Sequence, residues 1–513
     1  MKVTASLAGS QIEISAVKPS FTTDEAAAQL VRGGFRHYDR NGDGKIDLSF
    51  TMDERFSAQQ KVSVRMALQA WSDVTNINFK ENASGVDGSI SILANPEGNG
   101  GVAGLPNKYY GDLTATIGIK NASDAPRPGD NFSITAIHEL GHALGLEHPA
   151  DYGKSVPDYE STAYVQDTKA NSVMSYWSET KQAGHNFKWR QPSAPMKDDI
   201  AAMQKLYGAN LDTRNTDTTY GFNSNTDREH LSLNSPGDVP VFTVWDGGGN
   251  DTLDFSGFRQ NQLINLNAEA FSDVGGLRGN VAIAKGVGVE NGIGGAGDDV
   301  MIGNQMGNRI KGGVGADKLT GGGGEDVFVY DEIDESTLKW PDEILDFTSG
   351  TDKIDLSGVL KKSNLNNLDA VERFTGRPGE IILSHNPATG QGSLSLDLTG
   401  NGIADVFIKS RGVVRRGDLL TGGRSNPAVS KPETGLEPQP ESKPKPKPDN
   451  ANTVYGFNSN TGNPAMSLVP GSGAPRFTVR DSHGYDTLDF SGFKHDQRID
   501  LRAGAASSVG GPA

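Results

Sequence analysis

The chain contains no cysteine in 513 residues. Disulfides, thiolate metal sites and cysteine nucleophiles are therefore excluded. Long apolar runs are missing too, and nothing approaches the length of a membrane-spanning helix. The N-terminus, Met1 to Ser10, has neither an apolar stretch of signal-peptide length nor a matching cleavage site. Basic charge is in short supply, 48 Lys and Arg against 64 Asp and Glu, for a net −16. A nucleic-acid partner needs a basic face and is not expected. Membrane insertion is not expected either. Only 35% of the residues are hydrophobic, and a chain of this length divides into about two or three domains rather than one core. What abounds is glycine, 65 residues, beside the acidic surplus. That pairing suggests divalent cations held by oxygen ligands, calcium above all.

The most informative segment is His138-Glu139-Leu140-Gly141-His142-Ala143-Leu144-Gly145-Leu146-Glu147-His148. On a helix, His138 and His142 project from one face about one turn apart. Gly145 is where the helix can stop, since glycine accepts the left-handed conformation that reverses the chain. The reversal lets His148 swing round as a third ligand. Three neutral imidazoles leave a fourth position open, the mark of a catalytic rather than a structural zinc. Glu139 follows the first ligand, where its carboxylate can reach a water at that position.

Downstream lies Asn171-Ser172-Val173-Met174-Ser175-Tyr176-Trp177. With the zinc motif, this segment resembles the metzincin metalloproteases and, within them, the serralysins. The resemblance implies that Met174 packs beneath the zinc as an apolar floor and that Tyr176 can reach the metal through its phenolate. It implies a secreted zinc endopeptidase that hydrolyses peptide bonds of extracellular proteins. Glu139 would take the proton of the attacking water and pass it to the leaving amine. Tyr176 would leave the metal to stabilise the oxyanion. Gly101–Pro106 would be the sheet edge along which an extended peptide lies.

The glycines concentrate at 294–329, in four consecutive nonapeptides: GGAGDDVMI, GNQMGNRIK, GGVGADKLT and GGGGEDVFV. Three match the calcium-binding RTX repeat, with Asp299, Asp317 and Asp326 at the sixth position, while the second carries Asn308 there. The glycines turn the chain and expose carbonyl oxygens: Gly295 and Gly297 in the first turn, Gly312, Gly313 and Gly315 in the third, Gly321, Gly322 and Gly324 in the fourth. The apolar residue two places after the aspartate points inward as a strand, so stacked turns form a parallel β-roll. By resemblance, the opening calcium site takes carbonyls from Arg214, Thr216 and Thr218, carboxylates from Asp246 and Asp251, and the glycines Gly248 and Gly249. Gly288 and Glu290 serve the next. Two EF-hand-like stretches, Asp39–Asp47 and Asp397–Asp405, read as polar turns. The first has Phe50 where the bidentate glutamate belongs.

The expected architecture is an α+β metzincin catalytic domain followed by an all-β calcium-binding parallel β-roll. Residues 1–19 read as a propeptide, 20–212 as the zinc peptidase domain, 213–424 as the roll and 425–452 as a Lys/Pro-rich linker of extended character. Residues 453–513 form a truncated repeat of 218–276, with Tyr455 matching Tyr220. Periodicity predicts a helix over 59–74, strands at 77–79, 90–93 and 115–119, the zinc helix from about Ile134, and a helix over 198–207. The expected cofactors are one catalytic zinc and several structural calcium ions. Beyond protein substrates, the resemblance implies a type I secretion apparatus and a small protein inhibitor as partners, for a monomer exported without a signal peptide. Asp418-Leu419-Leu420 is the segment most like a type I signal, but it is internal. The competing reading is a calcium-dependent adhesin with a vestigial zinc site.

Overall fold

Capping signals place the first helices. Thr22 and Glu25 form a reciprocal capping box that opens α1 (Thr23–Leu30), and Ser57 and Gln60 do the same for α2 (Ala58–Val74). The computed structural model describes residues 18–152 and 158–422, with backbone alone at 3–7, 10–14, 454–457, 467–468 and 487–489. Its chain forms two compact units, Met1–Asn426 and Pro427–Ala513. Within the first, β1 (Val3–Leu7) and β2 (Ser10–Ile14) pair as an antiparallel hairpin. The linker at 425–452 lies outside the described residues, as do most of the tail repeat and the centre of the leader.

A five-stranded sheet forms the N-terminal half: β3 (Ile46–Met52), β4 (Ile77–Glu81), β5 (Gly88–Asn95), β6 (Gly101–Ala103) and β7 (Asp112–Gly118), in the order β4-β3-β5-β7-β6. All pairs are parallel except β6 on β7, so the edge strand runs against the rest. Leu48, Ile90, Ile92, Ala115 and Ile117 line its inner face and meet Val64, Ala67 and Trp71 of α2. The Trp71 indole donates to the Ile137 carbonyl of α3 (Asn131–Ala143) at 3.1 Å, tying the two helices together. A fourth helix, α4 (Lys197–Tyr207), packs on α1. The Asp39–Asp47 stretch is a turn that satisfies itself, with Asp39 accepting from the Gly42 and Gly44 amides before β3 begins. Asp397 does the same for Gly400 and Gly402.

From Thr219 onward the chain coils into two sheets of parallel strands, the second extended by an antiparallel meander of Glu380–Asn386, Gln391–Asp397 and Val406–Arg411. One stacks Thr252–Asp254, Asn291–Ile293, Arg309–Lys311, Val327–Val329 and Lys353–Asp355, the other Leu263–Asn265, Val300–Ile302, Lys318–Thr320 and Glu343–Ile344. Each turn contributes one inward apolar residue, among them Leu253, Met301, Ile310, Leu319 and Phe328, all buried. Leu419–Leu420 closes the first sheet as its outer strand, so the Asp418-Leu419-Leu420 segment is built into the roll. Asp73, near the end of α2, joins the roll to the N-terminal half. It accepts from Arg214 at 2.9 Å and from Arg228 at 2.8 Å, and it is buried. In the second unit, Tyr455 pairs with Leu488 in the register that pairs Tyr220 with Leu253.

Candidate active site

Asp130 caps α3 by accepting the Ser133 amide at 3.0 Å. The helix therefore begins at Asn131, ahead of the Ile134 start that periodicity suggested, because the cap is a polar residue outside the apolar pattern. At Gly145 the backbone turns with φ of 110°, and a methyl group there would sit 2.2 Å from the Phe35 carbonyl oxygen. Only glycine fits. Past that turn, His148 comes back to face α3. Its Nε2 lies 3.1 Å from that of His142 and 3.2 Å from that of His138.

The other ring nitrogens fix the tautomers. His138 Nδ1 sits 2.8 Å from the Val173 carbonyl oxygen and His142 Nδ1 sits 2.7 Å from that of Leu146. A carbonyl oxygen can only accept, so both Nδ1 atoms carry the proton and both Nε2 atoms present lone pairs to each other. Burial pushes His138 and His148 down to about 3 and lowers His142 as well, which keeps the rings neutral. Three converging neutral imidazoles, two of them with the outer N–H anchored, are a donor set that suits zinc.

Glu139 lies in the same wall and is 4% exposed. Its Oε2 has no hydrogen-bond partner among the described residues, and burial raises its carboxyl to about 7. The edge strand makes room for it: a methyl group on Gly101 would lie 2.4 Å from Glu139 Cγ. Met174 is wholly buried beneath α3, and a methyl group on Gly141 would meet its Sδ at 2.7 Å. Tyr176 is 47% exposed, with its ring centroid 4.6 Å from His148 and 4.7 Å from Tyr152. Burial, then the Glu139 charge, raise its phenol. Two cavities flank the histidines. One of about 430 Å³ includes Arg32, Val102, Leu105 and Tyr152. The other, about 270 Å³, includes Ile134, Lys169 and Val173, and both share His138, Glu139 and Tyr176.

Residues 209–420 and 447–513 match the family described as peptidase M10 serralysin C terminal, and 97–192 match the M12B reprolysin-like metallopeptidases. Metallopeptidase AprA of Pseudomonas marginalis is 47% identical over 441 residues, covering 79% of this chain and 92% of that protein. Serralysin C of Dickeya chrysanthemi is 40% identical, covering 77% and 89%. The chain belongs to the serralysin family. It is a zinc metalloendopeptidase with an α+β catalytic domain and a C-terminal β-roll.

In this serralysin the nonapeptide aspartates form two ladders. Each carboxylate accepts the backbone N–H of the corresponding residue one turn earlier: Asp299 from Gln262, Asp317 from Asp299, and on the other side Asp326 from Asn308, at 2.7–2.8 Å. The ladders continue past the repeats, where Asp342 accepts from Asp317 and Asp352 from Asp326. Neither Asp342 nor Asp352 was among the residues expected from the nonapeptides. The loops before them break the period, and only counting aspartates beyond the last repeat would have found them. Burial raises Asp299 to about 6 and Asp326 to about 7, and burial with neighbouring charge raises Asp251 and Asp317. At the opening site, Asp251 accepts the Thr218 amide and Glu290 accepts that of Asp251. Gly248 donates to Asp246, while methyl groups at Gly295, Gly313 and Gly322 would collide with the backbone of the adjoining turn. Arg214 points its guanidinium at Asp73, which leaves only its backbone for the expected calcium role. The Asn308 side-chain amide donates to the Val289 and Glu290 carbonyls.

Two further groups steady the centre without any local sequence signal. Asp199 accepts the Val173 and Met196 amides and the Ser172 hydroxyl, pinning the turn that carries Met174. Asp167, fully buried, accepts from Tyr152 and Ser175 at 2.7 Å and so fixes the ring on which Tyr176 stacks.

Proposed function

We propose that His138, His142 and His148 hold the catalytic zinc and that Glu139 is the proton carrier of peptide-bond hydrolysis. The observation that carries this is the convergence of three Nε2 atoms beside a buried carboxylate with an unpartnered oxygen. Zinc so held supplies a Lewis acid and brings the pKa of water towards neutrality. Glu139 takes the proton of the attacking water and delivers it to the leaving amine. A carboxyl raised by burial suits a proton that is held and then released. The Tyr176 hydroxyl, its ring braced by Tyr152 and His148, donates to the oxygen on which negative charge develops. Strand β6, with Val102 66% exposed, offers its outer backbone to an extended substrate as one more strand.

Calcium ions between turns of the roll would neutralise the two aspartate ladders, with Asp342 and Asp352 as their last carboxylates. The enzyme then acts on proteins outside the cell. The exporter would be a type I apparatus, for which an unfolded, calcium-free roll is a suitable cargo, and a small protein could inhibit by lying along β6. No helix among the described residues is long and apolar enough to cross a membrane. The adhesin reading is not favoured, since the histidine set is intact and the relatives are proteases. Casein hydrolysis by calcium-replete protein, with and without phenanthroline and beside Glu139→Ala, tests the proposal. Activity is expected to vanish in both cases. Chelator-resistant proteolysis would overturn it.

A further inference from the structure

We propose that Lys169 determines specificity, its ammonium selecting an acidic side chain on a substrate residue that flanks the scissile bond. The inference rests on the zinc-peptidase reading of the same centre. Lys169 lines the cavity of about 270 Å³ formed with Gly100, Gly101, Ile134, Val173 and Tyr176. Because His138 and Glu139 belong to that cavity too, a side chain that fills it must come from a residue next to the bond being cut.

The ammonium has three donors. One goes to the neutral Gln191 Oε1 at 2.9 Å, and Lys169 makes no ion pair among the described residues. Glu179 is near enough to favour the charged form, but its oxygens accept from the Phe187 amide and the Ser178 hydroxyl. Burial weakens the ammonium, as expected of a cation short of partners. The other cavity differs. Its cation, Arg32, is spent on the Gln29 and His148 carbonyls and on Glu147. A substrate closing over Lys169 expels water from two donors that find no acceptor among the described residues. An apolar side chain would leave them unpaired, whereas a carboxylate pairs them, and Ile134 and Val173 receive its methylenes.

The test is a set of quenched peptides identical except at the two residues flanking one cleavage site, each carrying Glu, Gln, Leu or Lys, with the cut located by mass spectrometry. At one flanking position the wild-type enzyme should prefer Glu over its isostere Gln by roughly 10-fold or more in kcat/KM. Lys169→Met should bring that ratio to about 1, Lys169→Arg should keep it, and Lys169→Glu should invert it towards Lys. The ratio is internal to each preparation, so a loss of folded enzyme does not move it. The same ranking is expected for binding of the uncut peptides to Glu139→Ala, read by anisotropy. A wild-type ratio of about 1 at both positions, or a ratio unchanged in Lys169→Met, overturns the proposal while phenanthroline-sensitive cleavage leaves the peptidase reading standing. Absence of any chelator-sensitive cleavage overturns both.

Discussion

The histidine centre and the roll solve opposite problems with ions. At the centre, neutral rings are anchored from behind by the Val173 and Leu146 carbonyls, so their lone pairs meet with no charge to drive them apart. In the roll, buried carboxylates face one another along each ladder, and neighbouring charge lifts Asp251 and Asp317 further. The lesson is that one region is preorganised for its metal, while in the other the proposed calcium ions would relieve a repulsion that the fold itself builds in. Removing zinc should silence the enzyme without unfolding it, whereas removing calcium should unfold the roll.

The sharpest way to break the centre alone is Glu139→Ala. Turnover on casein should fall by about 10²- to 10⁴-fold, with zinc content and circular dichroism unchanged. An active, well-folded mutant would sink the assignment. Next in size is the joint between the two regions. Asp73→Ala strands two arginines in a buried seam, at a cost of about 3–5 kcal/mol, and should lower the thermal midpoint even with both metals present. A normal midpoint would show that the seam adds nothing.

Asp342→Asn sharpens the contrast within the roll. The Asp317 and Asp342 Oδ2 atoms lack partners among the described residues. A neutral amide at 342 should make the calcium-free roll more ordered and raise the calcium needed for the last step of folding, both readable by calcium titration of far-ultraviolet dichroism. Equal responses from mutant and wild type would remove Asp342 from the ladder's function.

The smallest effect expected is a pH dependence at the seam. Burial, with Arg214 and Arg228 adding to it and Asp73 opposing, lowers His230 to about 4. The folded protein thus favours the neutral ring. That stabilisation is complete above the unfolded value near 6.5 and is lost as pH falls through about 4. The melting midpoint should decline between those values, and His230→Gln should flatten the slope. Parallel curves would acquit His230.

Much of this was legible because the signals are periodic or local. The i, i+4 histidines and Gly145 lie in one short segment, the nonapeptides repeat, and α2 shows a clean apolar stripe. What stayed hidden is what acts across the chain. Asp199 reaches the methionine turn from α4, and Asp167 braces Tyr152 from another loop. Asp342 and Asp352 sit on turns of irregular length, so no fixed spacing announces them. Helix α1 is too short to establish a period, although its capping box was in plain view. The edge position of Gly101–Ala103 followed from the resemblance, whereas its antiparallel run against β7 needed the whole sheet order.

The ladders also have a direction. In every rung the amide belongs to the earlier turn and the carboxylate to a later one, from Gln262 through Asp299 and Asp317 to Asp342. A ribosome therefore makes each donor before its acceptor exists, and the newest turn is always the open one. The roll is a clasp whose last tooth is synthesised last, so a growing chain carries an unfinished end throughout its synthesis.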